Sequence, residues 1–232
     1  LGDVYKRQSF IFTIIWVAGI TNAVNLIDGL DGLAGGMSVI VLVVIGSIAI
    51  IERRSDLLSI AFILAFGTLG FLVYNAHPAS IFMGDCGSLF LGFMISAISL
   101  LGFKSSTILT LALPILLLML PIIDTLSAIL RRTLKGMKFM EADKSHIHHL
   151  LMRQFGHRNT VIIMCGLTAL FGLSAFAYMI NRNIGFLVMV IILLAVEIFI
   201  EKSAMISEKF HPLIGLWHRI QRKSRKIFKK VG

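Results

Sequence analysis

The chain has 232 residues, 57% hydrophobic and only 15% charged, with a mean hydropathy of +0.90. A soluble domain carries about a quarter charged residues, so a water-soluble globule is excluded and an integral membrane protein is expected. The net charge of +10 invites a nucleic-acid partner, but the cations gather at the ends of apolar runs, where a lipid bilayer is the natural partner and nucleic acid is not.

Leu1 to Gln8 is a polar leader without signal-peptide character. Because the first residue is Leu, the sequence reads as a piece that lacks an N-terminal part. A helix needs about 20 apolar residues to cross a bilayer. Candidate spans cover 10–23, 32–51, 57–74, 87–103, 108–130, 160–180 and 184–200. The expected fold is therefore all-α: a polytopic membrane helix bundle of about seven transmembrane helices. It forms one transmembrane domain over 1–232, with a long loop at 131–159 and a basic tail at 201–232. Cys86 and Cys165 form no disulfide framework.

Lys and Arg orient the bundle. The 131–159 loop carries Arg131, Arg132, Lys135, Lys138, Lys144, Arg153 and Arg158, and the tail carries nine more cations. The opposite side has only Lys6, Arg7, Arg53, Arg54, Lys104 and Arg182. The positive-inside rule makes the richer side cytoplasmic. Alternation of the spans then places two acidic clusters and a histidine cluster on that same face.

The first cluster is Asn22-Ala-Val-Asn25-Leu-Ile-Asp28-Gly29-Leu-Asp31-Gly32. Its polar residues recur every third position, so on a helix they would share one face. Carboxylates there can bind Mg²⁺, accept from a nucleotide or act as base. Asp31 can instead cap the next span. The second cluster is Phe82-Met83-Gly84-Asp85-Cys86-Gly87-Ser88, read as a glycine loop opening a span near Gly87. Such a loop offers free N–H groups and a helix dipole to phosphate, with Asp85 placed for a metal and Phe82 for a base. Alone it is more simply a turn; the first cluster on the same face reverses that preference. The third is Lys144-Ser145-His146-Ile147-His148-His149, followed by Arg153, His157 and Arg158. Its spacing is not a standard zinc pattern. Contact with a phosphoryl-transfer site is the functional reading, and a solvated basic loop the plain one. Asp124 reads best as an ionic partner of Arg131 or Arg132, and the 210–230 segment as a membrane-surface stretch.

These three stretches, in this order, resemble the polyprenyl-phosphate N-acetylhexosamine-1-phosphate transferases of glycosyltransferase family 4. The Asp143-Lys-Ser-His-Ile-His-His run is most like the branch that uses UDP-GlcNAc and undecaprenyl phosphate. The resemblance covers roughly 10–159. It implies a Mg²⁺-dependent enzyme (Mn²⁺ can substitute) of the bacterial plasma membrane, multi-pass, with its site facing the cytoplasm. It moves GlcNAc-1-phosphate from UDP-GlcNAc to undecaprenyl phosphate and releases UMP, the first lipid-linked step of cell-wall or surface-polysaccharide synthesis. It further implies catalytic roles for Asp28, Asp31, Asp85, His146, His148 and His149, and substrate contacts from Asn22, Asn25, Asn75, Phe82, Gly84 and Ser88. Asp85 and Asn25 are the implied metal ligands. The family's Asp-Asp pair is missing from this sequence, so the piece as it stands is expected to be inactive without upstream residues. The alternatives are a phospho-N-acetylmuramoyl-pentapeptide transferase, a secondary transporter and a non-catalytic membrane scaffold. A transporter predicts charges near the midplane and paired halves, and the acids here gather at one end. A homodimer is the general expectation for a partner copy.

Overall fold

The computed structural model describes residues 2–102, 118, 122, 125 and 147–202, with side chains for 8–101, the three isolated positions and 151–196. Every element among them is helical: α1 (Gly2–Ile27), α2 (Leu33–Ile51), α3 (Ser55–Asn75), α4 (Gly84–Gly102), α5 (Ile147–Ile180) and α6 (Arg182–Lys202). Among the described residues, five stretches are long and apolar enough to cross a membrane: Gln8–Ile27, Leu33–Ile51, Ser55–Asn75, Gly84–Leu101 and Leu151–Ile180. Arg182–Val196 is a shorter apolar helix. The expected 108–130 span, Asp124, His146 and most of the basic tail lie outside the described residues.

The fold is a membrane helix bundle, with α2 at its centre. It packs on α3, α4 and α5, while α1 lies along α4 and α6 along α5. Val41, Leu42, Ile45 and Ile48 of α2 meet Trp16 and Ile20 of α1, Ala61 and Ala65 of α3, and Ile95 of α4. Near the site end, Ile27, Leu30, Leu33 and Met37 pack with Met164 and Phe171 of α5 and Val196 of α6. The outward faces carry exposed apolar side chains such as Ile63, Phe66 and Val73, as a lipid-facing surface requires.

Helix boundaries differ from the sequence expectation at the site, and α5 begins at Ile147, inside the expected 131–159 loop. Helix α1 stops at Ile27, so Asp28 and Asp31 sit in turns and the four polar residues do not form one helical stripe. The three-residue spacing does different work: Ile27, Leu30 and Leu33 are buried, which leaves Asp28 and Asp31 on the open side of the turn. Helix α4 starts at Gly84 rather than near Gly87, so Asp85 lies in its first turn.

The α1–α4 contact sets the site's register. A Cβ at Gly92 would stand 2.8 Å from the Thr21 Cα and 3.0 Å from its carbonyl oxygen. Backbone cannot yield as a side-chain tip can. Gly92→Ala is therefore expected to lower stability by about 1–3 kcal/mol, the usual range for overpacking. Thermal unfolding in detergent checks this, and an unchanged transition would show that the helices part without cost.

Candidate active site

The α1–α2 turn, the α3–α4 loop and the first turn of α4 converge at one end of the bundle. Asn25, on the last turn of α1, donates its amide N–H to Asp85 Oδ1 (3.1 Å) and to Ser88 Oγ (2.8 Å). Ser88 is fully buried and its hydroxyl in turn donates to the Gly84 carbonyl (2.9 Å). Asn25 thus ties α1 to α4 and orients the Asp85 carboxylate. Asp28 stands near enough to Asp85 to feel its charge. Burial first, and then Asp85, pushes its carboxyl above the usual 3.8.

Asn75 is 3% exposed and spends its amide on backbone. Its Oδ1 accepts from Gly32 N–H (3.0 Å), and its Nδ2 donates to the Ile81 carbonyl (2.9 Å). It braces the α3–α4 loop against the N-cap of α2. That N-cap is Gly32, with φ 76° and no side-chain cap bond, so the expectation that Asp31 caps α2 is corrected. Asp31 Oδ2 instead meets His77 Nδ1 at 2.9 Å and accepts from Ala79 N–H at 3.2 Å. The hydrogen bond from His77, with that from Ala79, holds its carboxyl below the usual range.

Between these elements lies a cavity of about 240 Å³ lined by Asp28, Gly29, Leu30, Asp31, Asn75, Phe82, Met83 and Gly84. Phe82 is 76% exposed, leaving a free aromatic face at its wall. A second, apolar groove of about 340 Å³ runs between α3 and α4 past Ile63, Gly67, Phe71, Met83, Gly87 and Phe90. Met83 lines both spaces.

The structure brings together Asn25, Asp28, Asp85 and Ser88, and beside them Asp31, Asn75, Phe82 and Gly84. Asn22 stays apart: it is exposed and its amide donates to the Ala18 carbonyl of its own helix (2.9 Å). His148 and His149 fall at the start of α5, with side chains outside the described set. Sequence reasoning missed His77, and it left His157 as a basic-loop residue. The ring of His157 stacks on His77 with centroids 4.1 Å apart, and its Nε2 lies 3.2 Å from the Asp31 carbonyl oxygen.

Two metal sites suggest themselves. Asp28, Asp85 and the Asn25 side-chain carbonyl are hard oxygen donors, and two carboxylates that feel each other's charge call for a cation; this set fits Mg²⁺. Asp31, His77 and His157 also place one donor atom each within 4.8 Å of one another. Their imidazole-rich set suits zinc better than magnesium. However, the two rings lie only 21° from parallel, so no single ion can sit in the plane of both. The hydrogen bonds explain that trio without a metal.

The family model for glycosyl transferase family 4 matches residues 3–103, the stretch that supplies both acidic clusters. Over those residues the chain matches that family. It is 42% identical over 221 residues to a probable undecaprenyl-phosphate N-acetylglucosaminyl 1-phosphate transferase of Bacillus subtilis, covering 94% of this chain and 62% of that protein. It is 37% identical over 161 residues to a phospho-N-acetylmuramoyl-pentapeptide-transferase of Listeria welshimeri, covering 68% and 48%. A decaprenyl-phosphate N-acetylglucosaminephosphotransferase of Mycobacterium leprae is 34% identical over 205 residues, covering 78% and 51%. The chain thus spans roughly half to two thirds of the length of these family 4 relatives.

Proposed function

We propose that this chain carries the donor and metal portion of a membrane enzyme that transfers N-acetylglucosamine 1-phosphate from UDP-GlcNAc to undecaprenyl phosphate. The observation that carries the reading is the Asp28–Asp85 pair, oriented by Asn25 and opening beside the Phe82 cavity. The match to the Bacillus protein extends over 94% of this chain, against 68% for the Listeria one, and this favours the GlcNAc donor over the muramoyl-pentapeptide donor.

In the proposed reaction a lipid phosphate oxygen attacks the β-phosphorus of the UDP-sugar. A new P–O bond forms, the bond from that phosphorus to the bridging oxygen breaks, and UMP departs with the electron pair. The lipid phosphate is mostly dianionic at neutral pH, since its second pKa is about 6. No strong base is needed, and positioning with charge neutralisation does most of the work. Mg²⁺ on Asp85 and Asp28, with the Asn25 carbonyl, supplies neutralisation of the diphosphate oxygens when bound. Phe82 offers its face to the uracil, and Asn75 keeps the pocket walls together. The apolar groove past Met83 suits the prenyl chain and would deliver the phosphate beside Asp85. The positive-inside count supports a cytoplasmic site, where UDP-sugars are made available, and a bacterial plasma-membrane location.

Labelled sugar-phosphate transfer tests this in membranes containing the full-length protein. Mg²⁺-dependent lipid product from UDP-GlcNAc, reversed by added UMP, is expected. Product only from the UDP-MurNAc-pentapeptide would move the chain to the peptidoglycan branch, and product from neither would end the transferase reading.

A further inference from the structure

We propose that His157 and His77 are positioning residues that clamp the donor-nucleotide turn to the helix entered from the histidine loop. The inference rests on the reading that the Asp28–Gly84 cavity takes the uridine nucleotide. Three chain segments far apart in sequence meet here. Asp31 belongs to the α1–α2 turn and lines the cavity. His77 belongs to the α3–α4 loop and engages the Asp31 carboxylate. His157 belongs to α5 and engages the Asp31 backbone carbonyl, so its Nε2 must carry the proton and donate. The stacked rings join the two histidines to each other. Asp31 is therefore held at its carboxylate by one ring and at its backbone carbonyl by the ring stacked on it.

The local backbone of α5 is built for this. Gly156, just before His157, has φ 76° and ψ 174°, which breaks α5 into two helical pieces. Only glycine adopts that conformation without strain. A Cβ there would meet nothing within 4 Å, so glycine serves the backbone angle and not the packing. Beyond the break the helix restarts, with Thr160 Oγ1 donating to the Gly156 carbonyl at 2.8 Å. His157 thus opens the span proper and reaches the turn, while the piece before the break contains His148 and His149. The His157 contact therefore ties the cavity-lining turn to the span proper, directly beyond the break that follows the histidine-bearing piece.

The test uses the full-length protein in detergent with Mg²⁺ and UDP as the probe, read by calorimetry. Three variants separate the donor from the ring. His157→Gln keeps an N–H near the Nε2 position, His157→Phe keeps the stack without a donor, and His157→Ala removes both. UDP affinity is expected to fall about tenfold in the Ala and Phe variants, the loss of one well-made hydrogen bond, and to stay within about threefold in the Gln variant. Combined with His77→Ala, the double variant should lose little more than His157→Ala alone, because the pair acts as a unit. In transfer assays the same variants should raise KM for the donor with kcat within about threefold. A general packing defect would not give that split, nor rescue by Gln. If His157→Ala does not fold, the Phe and Gln variants alone decide. Unchanged affinity in the Phe variant, or equal losses in Phe and Gln, or additive losses in the double, would overturn the clamp. A wild type that fails to bind UDP removes the nucleotide reading, and the clamp with it. A wild type that binds while all variants bind equally removes the clamp alone.

Discussion

Asp85→Asn in the full-length protein is expected to reduce Mg²⁺-dependent transfer by about a thousandfold, the scale seen when a charge-stabilising group is removed from a preorganised site. The substitution is nearly isosteric. Asn25 can still donate to the remaining carbonyl oxygen of residue 85, so the α1–α4 tie survives. Thermal unfolding should shift little, which separates lost chemistry from lost fold. Titrating Mg²⁺ against residual activity sharpens the point: the variant should need far more metal. Near-normal turnover at ordinary Mg²⁺ would take the metal role away from Asp85.

Asp28→Asn carries the second large effect, and it runs in two directions. Transfer is expected to fall by about a hundredfold or more, because a metal-facing carboxylate is gone. Stability in chelator is expected to rise at neutral pH. The folded-state carboxyl of Asp28 lies above its usual 3.8, through burial and then through Asp85. Below the unfolded value both states hold the proton and the group contributes nothing. As pH rises through the raised folded value, the folded state must carry a disfavoured charge, and stability is lost. Asparagine removes that loss. Unfolding curves of parent and variant should therefore coincide in acid and separate toward pH 7, with the variant higher. Added Mg²⁺ should restore the parent and leave the variant unmoved. A variant that melts below the parent at pH 7 in chelator would contradict the assignment of Asp28 to a strained carboxylate pair.

The spans of α1 to α4 were legible because apolar runs near 20 residues have few soluble explanations. Their site-side ends were not. Gly84 and Gly87 read as loop, yet α4 begins at Gly84, since helix first turns tolerate glycine where N–H groups are unpaired anyway. The Asn/Asp periodicity read as a helical stripe. In the structure the same period aims Ile27, Leu30 and Leu33 inward, and the helix has already ended. Asp28, Asp31 and Asp85 stood out because carboxylates beside lipid are costly. The Asn25–Asp85 bond joins residues 60 positions apart and no local pattern announces it. His77 had no signal either, being one histidine before a proline between spans. His157 was visible only as one more charge-bearing residue in a basic stretch, and its partner lies 126 positions away.

The inward anchors of the α1–α2 turn bear on how a nucleotide would be captured. With Ile27, Leu30 and Leu33 all buried and Asn75 bracing Gly32, the cavity floor is fixed by the core before any ligand arrives. A floating loop would surrender conformational freedom at each encounter; this floor surrendered it when the bundle folded. Nucleotide capture here should therefore resemble a key entering a finished lock, with amide exchange along 27–33 slow in the empty protein and little slower in the filled one.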